Sequence, residues 1–268
     1  MIGGRLRRLA APWLLVLAGA ALACPAPSPA ASPPASSAPA EGAALPDPAE
    51  LVRRAMEHYR GRTAWLRLSM RIHRPRWERR LELELWSRGL HHSLVRVLAP
   101  ARDRGNATLL VRGAMWVYNP RIRRVLRVPA SLMQRAWMGS DFSNDDVARS
   151  ARLVDQYRHR LLGVEERDGH RVYRIRSVPL EEAPVVWGFE DSLIRDDLLF
   201  LEHAYFDQEG RAVKRLRALR LGTLDGRPYV LAERMERLDR PGRWTEVAVR
   251  AGRFGLPLPP GLFTLEAL

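Results

Sequence analysis

The chain has 268 residues, a formal net charge of +14 at pH 7 and one cysteine, Cys24. A single cysteine excludes an intramolecular disulfide framework and a zinc site built from several cysteines, and its position directly behind an apolar N-terminal run argues against a buried catalytic thiol. Almost all of the positive charge is arginine, because Lys214 is the only lysine among the 44 basic residues.

The first 23 residues have the three parts of an export signal. Three arginines lie within the first eight residues, residues 10–22 are almost wholly apolar, and the small residues Ala21 and Ala23 follow. The apolar run is shorter than the roughly 20 residues that span a bilayer. We therefore predict a signal peptide over residues 1–23 and a mature protein in the periplasm.

Cys24 directly follows the apolar run, where a lipoprotein signal places the thiol that becomes diacylated. Residues 21–23 also satisfy the A-x-A pattern of ordinary cleavage. The protein is therefore either soluble in the periplasm or anchored to the outer membrane through Cys24. Residues 24–48 are rich in Pro, Ala and Ser, with few large apolar side chains, and we predict that they form a tether.

Residues 49–268 form the predicted folded domain, and its first element is a helix. Apolar residues recur at helical spacing after Pro48, and Gly61 is the predicted stop. Beyond it the apolar period changes to two, as in residues 77–88, where leucines alternate with charged residues. The segments that follow this strand pattern are 65–74, 77–87, 92–98, 107–111, 115–119, 123–128, 157–166, 171–178, 187–195, 199–206, 212–221, 229–238 and 243–254.

Short links join these segments, and several carry residues suited to tight hairpins, such as Asp168-Gly169 and Asp225-Gly226. Strands joined in this way are antiparallel neighbours, because parallel neighbours need long crossovers. We predict a mainly β (α+β) fold: an unclosed antiparallel β barrel or strongly curved sheet of about 11 strands. Short helices are expected to cover its concave face.

Residues 129–153 differ from the strands around them. Pro129 can begin a helix, with Leu132, Met133 and Trp137 on one face, and Ser143 to Asp146 resembles the cap of a second helix. The acidic residues here lack the spacing of a calcium loop, so capping is the preferred explanation. We predict that this helical segment lies over the sheet.

Residue patterns typical of catalysis or cofactor binding are absent from the sequence. No pair of the seven histidines has metal-ligand spacing, and no nucleophile elbow, P-loop or dinucleotide fingerprint occurs. We therefore predict no metal site, no cofactor and no enzymatic activity.

Large flexible or flat apolar side chains suggest a binding cavity instead. The ordinary interpretation of each is core packing, but Met and Trp on a movable cover also suit a pocket for acyl chains. The candidate lining residues are Leu132, Met133, Trp137, Met138, Trp86 and Trp116.

The run from Trp137 to Asp146, W-M-G-S-D-F-S-N-D-D, resembles the LolA-like family of outer-membrane lipoprotein-sorting proteins. The resemblance implies an unclosed barrel with a helical lid over an apolar cavity, and a carrier of acyl chains with no catalytic residues. Supporting matches lie at residues 103–105, 115–120, 159–163, 183–188, 257–259 and 262–264.

The partners follow from these expectations. The cargo would be lipoprotein acyl chains or lipids, and an inner-membrane transporter complex is a candidate donor. The basic surface would be attracted to anionic lipid head groups by about 1 kcal/mol per charge, whereas export argues against nucleic acid as a partner. The alternative function is an accessory module of a lipid or efflux transporter that carries no lipid.

Overall fold

The computed structural model describes residues 45–268. The predicted signal peptide, Cys24 and most of the predicted tether lie outside the described residues. Among residues 45–268, no helix is both long and apolar enough to cross a membrane.

Two α-helices form where the sequence predicts helix starts. Helix α1 (Pro48–Arg60) is capped by the Asp47 side chain and ends at Gly61, whose φ of 65° favours glycine. Helix α2 (Asn144–Asp155) begins with a capping box, in which Ser143 and Asp146 each accept a hydrogen bond from the other's backbone. The predicted stop of α1 at Gly61 and the predicted cap of α2 are confirmed.

The described residues contain thirteen strands in one antiparallel sheet. This confirms the mainly β class. All thirteen segments with the strand pattern pair in the sheet, so the number of strands exceeds the expected figure of about 11. The strands are β1 (Thr63–Arg74), β2 (Trp77–Arg88), β3 (His92–Ala99), β4 (Ala107–Val111), β5 (Ala114–Asn119), β6 (Arg124–Arg127), β7 (Tyr157–Arg167), β8 (His170–Pro179), β9 (Phe189–Arg195), β10 (Phe200–Phe206), β11 (Ala212–Leu224), β12 (Arg227–Arg237) and β13 (Trp244–Phe254).

The strand order explains why the sheet stays open. It runs from β6 through β1, then β13, and back to β7, so that β6 and β7 are its two edges. These edge strands follow one another along the chain, and residues 128–156 connect them. We call residues 128–156 the cover. The sheet is not closed by strand pairing, and the cover joins one edge to the other.

The first half of the cover is not the helix that the sequence predicts. It consists of two short 3-10 turns, Ala130–Leu132 and Trp137–Gly139. Met138 and Gly139 have φ of 51° and 76°, which ends any regular helix at this point. A bridge between Ala136 and Ser143 then folds the segment back on itself.

Alternating side chains give the sheet two apolar faces. The face toward the cover carries a core of side chains from β1, β2 and β3 together with Trp137. On the opposite face, Leu94 and Leu109 are buried under the C-terminal segment, where Phe263 packs. The C-terminal segment therefore protects the outer face of β2 to β5, while helix α1 and the cover, which includes α2, occupy the inner face.

Candidate functional site: a cavity beneath the cover

A cavity of about 200 Å³ lies between the sheet and the cover. Its apolar wall comes from alternate residues of β1, β2, β3 and β13, which point inward because strand side chains alternate between faces. Helices α1 and α2 contribute its more polar side. Representative apolar lining residues are Leu66, Leu68, Leu83, Leu85, Val95 and Val249.

The volume of the cavity limits what it holds in this closed state. An engineered cavity of about 150 Å³, lined by leucine, isoleucine and phenylalanine, binds benzene. A cavity of about 200 Å³ has room for a short piece of hydrocarbon rather than a whole lipid tail. A longer chain therefore requires the cover to move.

The first half of the cover is fixed by a buried ion pair. Arg74 at the end of β1 donates to the Asp141 carboxylate over 2.8 Å, and its other nitrogen donates to the Gly139 carbonyl over 2.9 Å. The Thr245 hydroxyl of β13 also donates to Asp141, over 2.7 Å. Two central strands of the sheet thus hold this part of the cover.

A second buried ion pair fixes the start of α2. Lys214 of β11 contacts the Asp146 carboxylate at 2.5 Å, and both side chains are almost fully buried. Burial alone would raise the pKa of Asp146, but the Lys214 ammonium and the hydrogen bonds from Ser143 outweigh it and lower the pKa. Asp146 therefore both caps α2 and anchors it to the sheet as a carboxylate.

A third ion pair fixes the next turn of α2. Arg149 lies 3.1 Å from Glu190 of β9 and donates to the Tyr205 hydroxyl over 2.6 Å. The Tyr157 hydroxyl donates to the other oxygen of Glu190 over 2.5 Å, and His203 contacts the same carboxylate at 2.5 Å. In the low-dielectric interior, such a network fixes the relative positions of its side chains, because each of them has defined hydrogen-bond partners.

The charge states of this network follow from its surroundings. Burial would raise the pKa of Glu190, but the Arg149 guanidinium and the hydrogen bonds from His203 and Tyr157 outweigh it and lower the pKa to about 2. Burial and the Arg149 charge lower the pKa of His203 to about 4. At neutral pH the network therefore holds an ionised Glu190 and a neutral His203.

Ser192, His203 and Glu190 have the composition of a serine hydrolase triad. The Ser192 hydroxyl lies 2.7 Å from His203 Nδ1, and His203 Nε2 faces Glu190. Of the three, however, only His203 lines the cavity, and Ser192 is fully buried. A histidine with a pKa of about 4 is also a weak general base at neutral pH. The arrangement favours a structural network over nucleophilic catalysis.

Two lining residues with a basic or carboxylic acid side chain, Arg60 and Glu233, make no ion pair among the described residues. Arg60, the last residue of α1, is buried and is one of the residues that line the cavity. Glu233 of β12 also lines it, and burial raises the pKa of Glu233 to about 7 against the opposing effects of Tyr59 and Arg149. These two groups make part of the cavity wall polar.

The structure separates the six residues predicted to line a cavity. Trp137 lines the cavity, and its indole nitrogen donates to the Thr108 hydroxyl over 3.0 Å. Met133 packs in a separate cluster against Leu110 and Met115, and Met138 packs against the inner core that contains Trp137.

The other three predicted residues lie farther from the cavity. Leu132 is 43% exposed on the outside of the cover. Trp86 and Trp116 pack on the opposite face of the sheet, against the C-terminal segment. Of the six predicted residues, therefore, Trp137 alone lines the cavity.

Sequence reasoning did not identify the polar residues of the site. Lys214 and Asp146 are 68 positions apart, and Arg149 and Tyr205 are 56 apart, so no local spacing connects them. One signal was present: Lys214 is the only lysine of a chain in which arginine supplies every other basic side chain.

The comparisons with known proteins agree with this architecture. The model of a family of uncharacterized proteins matches residues 89–268. The comparison with curated proteins found no match.

Three solved structures share the fold. A DUF1329 family protein from Desulfovibrio piger superposes with a TM-score of 0.74 and 28% identity, over 83% of this chain and 100% of that chain. An outer membrane lipoprotein-sorting protein domain from Vibrio parahaemolyticus has a TM-score of 0.72 and 19% identity, over 82% and 97%. A LolA superfamily protein from Nitrosomonas europaea has a TM-score of 0.70 and 20% identity, over 84% and 100%. The LolA-like resemblance inferred from the sequence is confirmed at the level of the fold.

Proposed function

We propose that this chain, which belongs to the family of uncharacterized proteins matched over residues 89–268 and has the LolA fold, is a periplasmic carrier of acyl chains. It would bind the acyl chains of lipoproteins or lipids and transfer them to the outer membrane, without a catalytic step. The observation that carries the proposal is the apolar cavity beneath a cover that bridges the two edges of an open sheet.

Loading requires the cover to separate from the sheet. Each buried methylene stabilises the complex by about 0.8 kcal/mol, which favours an open state filled by hydrocarbon. The ion pairs of Asp141, Asp146 and Arg149 favour the closed state. Because water solvates these charges once the cover opens, their net contribution is smaller than their geometry suggests. The closed and loaded states can therefore lie close in free energy.

The test is native mass spectrometry of the purified full chain. We expect adducts with the masses of lipids or of lipoprotein acyl groups. Val95→Phe should reduce the adducts, because Val95 lines the cavity and the larger ring fills it. Val164→Phe is the matched control, since Val164 is exposed on β7 and the same ring there leaves the cavity unchanged. Equal adducts in both variants would contradict the proposal.

A second candidate function is supported by the two sheet edges. Val125 and Leu126 of β6 are exposed, as are Leu162 and Val164 of β7. Exposed apolar edge strands can pair with a strand of another protein. An accessory module of a lipid or efflux transporter would use these edges and carry no lipid. In native mass spectrometry, such a module would show only the mass of the protein without bound lipid.

The placement of the protein in the envelope is also a proposal. We propose that residues 1–23 direct export, that residues 24–48 are a tether, and that residues 49–268 are the carrier domain. Incorporation of labelled palmitate, with Cys24→Ala as the control, tests the lipid anchor. Label that persists in Cys24→Ala would show that Cys24 is not the acylated residue.

A further inference from the structure

Arg60 is a buried charge without a compensating partner among the described residues. Only 7% of it is exposed, and it lines the cavity. Its Nε makes no hydrogen bond, and its Nη2 donates only to the His92 carbonyl, over a long 3.3 Å. Buried guanidinium groups are normally paired, because a lone charge in a low-dielectric site is costly.

The other charged residues of the cavity wall do not compensate for Arg60. Asp146 is paired with Lys214, and Arg149 is paired with Glu190. Glu233 makes no ion pair with Arg60, and burial raises its pKa to about 7, so a large share of it is neutral near pH 7. Burial lowers the pKa of Arg60, but the guanidinium stays protonated at any physiological pH. The closed cavity therefore carries one unmatched positive charge.

Two hydroxyl groups lie near Arg60 on the cavity wall. Ser87 and Ser93 are paired across β2 and β3, and both line the cavity. The Ser87 hydroxyl donates to the Arg60 carbonyl over 3.1 Å, which places it against the end of α1. Ser93 follows His92, the residue that Arg60 contacts. A guanidinium with neighbouring hydroxyls suits a carboxylate or a phosphate, whose oxygens accept several hydrogen bonds at once.

We infer that the cavity selects acyl-chain ligands with an anionic head group, and that Arg60 binds the carboxylate or phosphate of that group. The inference rests on the proposed carrier function and names the class of its cargo. The hydrocarbon chain lies against the leucines and valines of β1 to β3. The anionic oxygens take the hydrogen bonds that Arg60 lacks in the closed protein.

The experiment measures the displacement of the neutral dye Nile red from the full chain by three ligands with the same tail: dodecanoate, dodecyl phosphate and dodecanol. We expect at least one anionic ligand to bind about tenfold or more tightly than dodecanol, because a hydrogen bond to a charged group contributes about 1.5–3 kcal/mol. The stronger of the two anionic ligands identifies the head group as carboxylate or phosphate.

Variants of Arg60 make the assignment specific. Arg60→Met and Arg60→Gln should bring the affinities for the anionic ligands down to the affinity for dodecanol measured in the same variant, while Arg60→Lys keeps part of the preference. Removal of an unpaired buried charge should not unfold the protein, and thermal unfolding checks this for each variant. The matched control is Arg54→Met, because Arg54 is exposed on the same helix.

The possible outcomes separate this inference from the carrier function. Equal affinity of the native chain for all three ligands overturns the inference but leaves the carrier function standing. A preference that survives in Arg60→Met and Arg60→Gln also overturns it. Failure of all three ligands to displace the dye, with no lipid adduct in native mass spectra, overturns both proposals.

Discussion

His203 is a residue whose burial should be visible in the pH dependence of stability. It is 2% exposed, and its pKa of about 4 lies below the ordinary value of 6.5. Between these two pH values the unfolded chain binds a proton that the folded chain does not, so stability falls as the pH falls. The contribution of neutral His203 to the free energy of unfolding is fully present above pH 6.5. About 3 kcal/mol of stability is lost as the pH approaches 4.

The measurement for His203 is urea denaturation of the native chain and His203→Gln across this range. The native chain should lose more stability than the variant between pH 7 and pH 4.5, because glutamine does not titrate. His91→Gln is the control, because it makes the same substitution at an exposed position. Parallel profiles for the native chain and His203→Gln would show that His203 titrates normally.

Glu233 should show the opposite sign. Burial raises its pKa to about 7 from an ordinary 4.5, so the folded chain binds the extra proton in this window. The contribution of neutral Glu233 to the free energy of unfolding is fully present below pH 4.5 and is lost as the pH rises through 7. Glu233→Gln should therefore become more stable relative to the native chain as the pH increases, by up to about 3 kcal/mol. Thermal or urea denaturation at several pH values checks this, with exposed Glu166→Gln as the control. A constant difference across pH would contradict it.

Lys214 tests the anchoring of the cover by a single side chain. Lys214→Met leaves the buried Asp146 carboxylate without its ammonium partner, which should lower the free energy of unfolding by about 3–5 kcal/mol. Replacing Asp146 by Asn in the same chain should recover part of this loss. Arg240→Met removes a charge from an exposed side chain and should change stability little. If Lys214→Met were as mild as Arg240→Met, the ion pair would not anchor the cover.

The elements of the sheet were largely predictable from the sequence because their signals are local. Period-two alternation located all thirteen strands to within three residues at either end. The hairpin at Asp168-Gly169 has φ of 53° and 76°, as the residue pair suggests. The capping box of α2 is equally local.

The helix predicted for the first half of the cover was wrong, because local signals do not report long-range contacts. Apolar positions at helical spacing indicate which side chains share a face, but they do not report backbone breaks. In residues 129–142 the break is made by positive φ at Met138 and Gly139, and the fold-back depends on Arg74 and Thr245 from distant strands. The ion pairs of the site could not be predicted from local patterns either, because they join residues that are far apart in sequence.

The N-cap of α2 gives a prediction at the scale of the element. Ser143→Ala removes the hydroxyl that accepts from the Asp146 amide over 3.1 Å, and it should cost about 1 kcal/mol. The loss should appear as faster hydrogen exchange of the α2 amides, with little change in β1 or β13. Ser131→Ala, at an exposed position of the same cover, is the control. Equal exchange of α2 in both variants would mean that the cap does not limit its opening.

At the scale of the whole molecule, the open sheet and the basic charge would act on different parts of a lipid in the proposed carrier. The sheet and the cover enclose the apolar cavity, which suits a hydrocarbon chain. The net charge of +14 at pH 7 instead attracts anionic groups outside the protein. A basic protein is attracted to an anionic membrane over about 10 Å at 0.1 M salt, and less at higher salt. Attraction at the surface would bring the carrier to its lipids before the cover opens.

This attraction can be measured by sedimentation with lipid vesicles. The Cys24→Ala chain should sediment with phosphatidylglycerol vesicles at low salt, stay in solution with phosphatidylcholine vesicles, and dissociate from the anionic vesicles as salt increases. Arg60→Met should sediment like its parent, because one buried charge contributes little to the field outside the protein. Vesicle binding that does not depend on salt would indicate that the contact is made by the apolar cavity or by the edge strands β6 and β7 instead. Loss of binding in Arg60→Met would show that the vesicle is recognised through the cavity, and that head-group selection and membrane attraction are one event.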